Sequence, residues 1–200
     1  MKKALLILSI ICVSYFSNAQ SFTFGPKIGL QTNKFTTNID SLKASTKAGF
    51  NVGAFVRVGI SKFFVQPELY YAYQSGTYKT NSDMSQEVKI NTITIPALVG
   101  FDLFNAKLAK VYVMGGPAVA FNVNSTVSTK NTSNAKFPIE SKDDLKKALW
   151  SMQLGAGVDI LKFTIDARYE FGISNIYDGN KKDVDIKNGH FLLNLGYKIF

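Results

Sequence analysis

Cysteine is nearly missing from this chain. The single thiol, Cys12, lies within the first twenty residues. The remainder can form no disulfide, thiolate metal site or thiol nucleophile. Histidine is as scarce: His190 stands alone, with Leu192 as the next residue on its face, which removes the simplest His-Ser pair for acyl transfer. Beyond the first twenty residues no run of about eighteen apolar residues occurs, which excludes a membrane-spanning helix. Charged residues amount to only 18%. The basic ones are scattered among acids and form no stripe, which argues against nucleic acid as a partner. No phosphate-cradling glycine loop and no metal-ligand cluster appears. Asp143-Asp144 and Asp183-Val184-Asp185 lack the spacing of an EF-hand loop and read as solvated loops.

What is present begins with an export segment. Lys2-Lys3 give a positive start, Ala4 to Val13 an apolar core, and Ser17-Asn18-Ala19 a small-residue cleavage site. Residues 1–19 are therefore expected to be a signal peptide, leaving 20–200 as one domain of ordinary size. A lipid on Cys12 is disfavoured, because Ser9-Ile10-Ile11 offers no small residue just before it. Losing Lys2 and Lys3 takes the formal charge from +9 to +7, a sign that suits anionic lipid headgroups.

The clearest pattern runs from Ser151 to Ile173. Met152, Leu154, Ala156, Val158 and Ile160 alternate with Gln153, Gly155, Gly157 and Asp159. After Leu161-Lys162 the alternation resumes, with Phe163, Ile165, Ala167, Tyr169 and Phe171 against Thr164, Asp166, Arg168 and Glu170. Two such runs joined by almost nothing predict a tight β-hairpin. The same period recurs at 22–31, 50–59, 65–74, 93–101, 111–123 and 191–199. Val88 and Ile90 fall on the opposite parity from Ile93 to Phe101, which a bulge near Asn91 would repair. Residues 32–48, 74–87, 125–149 and 175–189 read as polar loops. Within the third, Ser141 as N-cap, Asp143-Asp144 and then Leu145, Ala148 and Leu149 predict a short helix.

About eight strands of roughly ten residues, with connections alternating long and short, fit an antiparallel up-and-down transmembrane β-barrel. The polar face decides which side is out. It combines glycine and short side chains with a few charges of both signs: Lys27, Arg57, Glu68, Asp159, Asp166, Arg168 and Glu170. A soluble barrel would carry long polar residues at nearly every outward position. A narrow interior instead needs small residues and charges that neutralise one another. Aromatics near the strand ends, among them Phe22, Phe63, Tyr73, Phe101, Phe163 and Tyr197, suit interface girdles.

The chain resembles the Bacteroidetes outer-membrane beta-barrel domain proteins labelled PorT family or porin family. The likeness rests on Gly25-Pro26-Lys27-Ile28-Gly29-Leu30, Gln66-Pro67-Glu68-Leu69, Ile95-Pro96, Gly115-Gly116-Pro117 and Gly155-Ala156-Gly157-Val158. It implies insertion by the barrel-assembly machinery, with Tyr197 and Phe200 as the C-terminal assembly signal, although Phe200 has the opposite parity from Tyr197 and Ile199.

These residues predict a monomeric, non-enzymatic outer-membrane barrel without a cofactor or metal. Its seven inner charges would form a neutralised core, and its loops would meet lipopolysaccharide, matrix or a surface protein. Two alternatives stand beside it. One is a narrow channel or small-solute binder lined by the same charges, the other a soluble secreted ligand-binding barrel. His190 reads as a rim residue, with Ser174 as the nearest substitute nucleophile.

Overall fold

The computed structural model describes residues 21–37, 43–45, 47–79, 85–106, 108–130, 148–174 and 186–199. The elements are β1 (Ser21–Thr37), β2 (Lys43–Ser45), β3 (Lys47–Ile60), β4 (Phe63–Lys79), β5 (Ser85–Asn105), β6 (Ala109–Lys130), β7 (Ala148–Ile160), β8 (Phe163–Gly172) and β9 (Ile186–Tyr197). Their order is β2-β4-β3-β1-β9-β8-β7-β6-β5, and β4 also pairs with β5. Eight strands therefore close an antiparallel ring, with β2 a short addition beside β4 (Lys43 opposite Lys79). Closure leaves the ring without an unpaired edge.

Short connections gather at one end of the barrel, the turn end. Ser61-Lys62 joins β3 to β4, and Leu161-Lys162 joins β7 to β8. Each begins with a left-handed residue, Ser61 at φ 58° and Leu161 at φ 53°, as the favoured two-residue hairpin turns require. Each turn is also tied to a neighbouring strand: Asp102 N donates to Lys62 O at 2.7 Å and Lys198 N to Lys162 O at 2.7 Å. The opposite, loop end carries the longer connections.

The polar stretches expected to be loops are in part strand. β1 runs on to Thr37, β4 to Lys79 and β6 to Lys130, where Ser85 still faces Lys130 across the ladder. Alternating hydrophobicity marks only the band whose outer face is apolar. Farther along, the sequence is largely polar at both parities, and the backbone pairing continues without that signal.

The expected helix is corrected as well. Ala148 and Leu149 open β7, opposite Phe121 and Ala120; residues 141–147 lie outside the described residues. A neighbouring strand with free hydrogen-bonding groups overrides weak local helical spacing. A register shift does fall between Asn91 and Thr92, but the extra residue, Val123, is on β6. β5 keeps its phase, so Ile90 points inward and is buried.

The outward band is apolar throughout. Leu30 is 65% exposed and Leu154 62%. Aromatic pairs sit at both ends of it. Phe63 lies 5.0 Å from Phe101 and Phe163 5.4 Å from Tyr197 at the turn end. Phe50 lies 5.6 Å from Tyr73 and Tyr169 4.6 Å from Phe171 toward the loop end. Tyr197 therefore belongs to the outer face, as expected; Phe200 lies outside the described residues.

Proline shapes the ladder. The β5–β6 pairing is interrupted between Pro96/Ala118 and Val99/Gly115, where Pro96 and Pro117 lack the N–H a ladder needs. Here the strands approach closely through Gly116. A Cβ at this position would lie 2.1 Å from Ala97 O and 3.0 Å from Leu98 Cα. These are backbone atoms, which cannot yield as a side chain does. Gly116→Ala is expected to destabilise the barrel by about 1–3 kcal/mol through overpacking, read as a lower urea midpoint of the folded band on unheated gels; an unchanged midpoint would refute the close approach.

Candidate functional site

The strand period sends every second side chain into the barrel, and the register then decides which of them meet. All seven charged residues expected inside are buried. They separate into two groups along the axis.

The central group contains Lys27 on β1, Glu68 on β4, and Asp166 and Arg168 on β8. Glu68 is its hub. Arg168 Nη1 and Nη2 donate to Glu68 Oε2 and Oε1 at 2.9 and 2.6 Å, a bidentate fork. Lys27 Nζ lies 2.9 Å from Glu68 Oε1 and 3.0 Å from Asp166 Oδ2. Arg168 Nε lies 2.6 Å from Asp166 Oδ1. The group holds two cations and two carboxylates and crosses the lumen from β1 and β4 to β8. Arg168 is 2% exposed. Burying such charges costs several kcal/mol per ion unless pairing offsets it; here each ion faces two of opposite sign. Glu170 joins this group through Gln153. Gln153 Nε2 donates to Glu170 Oε2 at 2.8 Å and to the Tyr70 hydroxyl at 2.9 Å, and Gln153 Oε1 accepts from Arg168 Nη1 at 3.2 Å.

The second group lies toward the turn end. Arg57 Nη1 donates to Asp159 Oδ2 at 2.9 Å, and Lys198 Nζ donates to the same oxygen at 3.1 Å. The Arg57 guanidinium packs against the rings of Phe64 and Tyr112, 4.5 and 4.4 Å from their centroids, a cation–π arrangement strengthened by burial. The two rings meet edge to face at 5.4 Å.

Several residues that complete this lattice were not among the expected charges. Gln66 Nε2 donates to Glu68 Oε1 at 2.6 Å and its Oε1 accepts from Arg57 Nε at 2.5 Å, which bridges the two groups. Asn194 Nδ2 donates to Asp166 Oδ1 at 2.8 Å, and the Tyr112 and Thr164 hydroxyls share a bond of 2.7 Å. Their parity in the sequence already put them on the inner face; attention to charge alone passed them over. Three charged residues were also not expected here: Lys110 and Asp102, which pair at 3.0 Å, and Lys198, which joins Asp159.

A cavity of about 180 Å³ opens at the turn end beside Arg57 and Asp159. A smaller one of about 30 Å³ lies at the loop end, lined by Gln74, Ser151, Glu170, Ser174 and His190. The central ion pairs stand between them. His190 is buried inside the loop end and sits across from Glu170 in the ladder, which corrects the expectation of a rim residue: β9 continues past it to Ile186. Ser174 Oγ accepts from Trp150 N at 3.0 Å. Among the described residues no group of three His, Cys, Asp or Glu could hold a metal ion. Asp143-Asp144 and Asp183 to Asp185 lie outside the described residues.

A closed antiparallel ring with an apolar outside and charged residues buried inside defines a barrel of the membrane-spanning class. Residues 18–178 match the outer membrane protein beta-barrel domain family, and the chain belongs to that family. The soluble secreted barrel is thereby set aside. Among solved structures, the attachment invasion locus protein Ail of Yersinia pestis is 15% identical, with a TM-score of 0.47 over 90% of this chain and 100% of that one. Neisserial surface protein A is 12% identical, with a TM-score of 0.48 over 90% and 100%. A de novo designed transmembrane β-barrel is 12% identical, with a TM-score of 0.37 over 88% and 95%. No curated protein sequence matches the chain.

Proposed function

We propose that this chain is an outer-membrane barrel whose lumen is sealed by its own ion pairs, and that it works through its loop end as a non-enzymatic structural or surface-interaction protein. The observation that carries the reading is the Lys27–Glu68–Arg168–Asp166 cluster, with contacts of 2.6 to 3.0 Å. An eight-stranded ring has an interior just wide enough for side chains, and here they meet across it. The turn end faces the periplasm and the longer connections face outward, following the loop asymmetry of outer-membrane barrels. Within the family, the PorT or porin-type branch is the kinship we assign, with "porin" describing descent and not conduction. Cleavage after Ala19, insertion by the barrel-assembly machinery, a monomeric state and loop contacts with lipopolysaccharide or a surface protein complete the proposal.

Planar-bilayer recording tests the seal. The expected result is a silent membrane, without steady single-channel openings. Steady openings that disappear on altering Arg57 or Arg168 would establish the competing reading, a narrow channel lined by these charges.

A further inference from the structure

We propose that the turn-end cavity is a binding site for hydrogen phosphate or a small phosphate monoester. The cavity, about 180 Å³, is lined by Arg57, Lys110, Lys198 and Asp159, with Ser21 and Asn105 beside them. Three cations thus face one carboxylate. Even with Asp102, which pairs with Lys110, the surplus is positive.

Two buried atoms here lack a hydrogen-bond partner: Arg57 Nη2, a donor, and Asp159 Oδ1, an acceptor. Their residues are 4% and 5% exposed. Arg57 cannot easily swing away to find water, since its Nε and Nη1 are bonded to Gln66 and Asp159 and its guanidinium packs on Phe64 and Tyr112 at 4.5 and 4.4 Å. A matching ligand is an anion that accepts from Arg57 and the lysines and also donates to Asp159. Hydrogen phosphate does both through its oxygens and its P–OH, and a monoester keeps one P–OH while singly ionised. Sulfate and acetate only accept and would leave the Asp159 oxygen facing a lone pair. Size is permissive, because a cavity of about 150 Å³ is enough for benzene.

That the ligand comes from the periplasm rests on the orientation proposed above; the site itself does not. The test is calorimetric titration of the full chain, refolded in detergent at constant ionic strength and mildly acidic pH, with sodium phosphate, sulfate, acetate and glycerol 3-phosphate. Saturable phosphate binding is expected, with sulfate about tenfold weaker because it leaves an acceptor unpaired. Lys198→Gln should weaken phosphate about tenfold by removing a charge-assisted bond, and Asp159→Asn should erase the preference over sulfate. Glycerol 3-phosphate binding as well as phosphate marks a monoester site; phosphate alone marks the free ion. Equal affinity for phosphate and sulfate, no saturable heat, or binding unchanged in Lys198→Gln overturns the proposal. Because Asp159 also holds Arg57, the half-buried Lys198 provides the variant least dependent on folding. Orientation is read separately: Ser61→Cys should react with an impermeant maleimide only after cells are permeabilised. Reaction in intact cells would reverse the barrel and leave the phosphate result standing.

Discussion

Replacing Glu68 by glutamine is expected to lower the stability of the barrel by about 3 kcal/mol, the scale of breaking a buried ion pair from one side. Glu68 neutralises two cations, Arg168 through a fork and Lys27 at 2.9 Å. Without its charge both must share Asp166, and Arg168 is buried too deeply for water to replace the lost oxygens. The effect should appear as a lower urea midpoint, followed by the heat-dependent shift of the folded band on gels. Glu68→Gln combined with Arg168→Met removes one charge of each sign and should recover much of the loss, since an apolar replacement of a whole pair is often neutral. A Glu68→Gln variant as stable as the parent, or a double variant that simply sums two losses, would show that the cluster does not act as a coupled unit.

Leu193→Arg should cost about 2–4 kcal/mol, the value for a cation at the bilayer midplane on the lipid face of a barrel. Leu193 is exposed on β9, flanked on the same face by Phe191 and Leu195, and paired with Leu30 and Ala167 across the ladder. It lies between the two outward aromatics of that strand, Phe191 and Tyr197. The same substitution at Ile199, beyond Tyr197 at the turn end, should cost about 0–1 kcal/mol. Folding into vesicles across a urea series measures both. Equal costs at the two positions would mean that the apolar band is not sitting in hydrocarbon.

Much of the barrel was legible residue by residue. The alternation from Met152 to Phe171 located β7, the Leu161-Lys162 turn and β8, because a side chain that meets an apolar medium on one face must be apolar at every second position. The same parity put Lys27, Glu68 and Arg168 on the inner face. It failed where the outer medium ceases to be apolar: residues beyond Leu30, Tyr73 and Val123 continue as strand with no periodic mark. It failed again at Ile90, an apolar residue that points inward, and at Ala148 and Leu149, where helical spacing lost to a waiting ladder.

By itself, then, the sequence determined the architecture and the two faces, since each follows from period two and from the media on either side; of the inner charges it marked seven and passed over Asp102 and Lys198. The tertiary structure alone decided which charges meet. Glu68 and Arg168 are a hundred residues apart, and only the register that closes the ring brings them together. Register is a sum over all eight ladders, so no stretch of residues carries it. The unpartnered Arg57 and Asp159 atoms arise in the same way, from a closure that pairs most of the inner groups and leaves these two without a partner in residues that line the turn-end cavity.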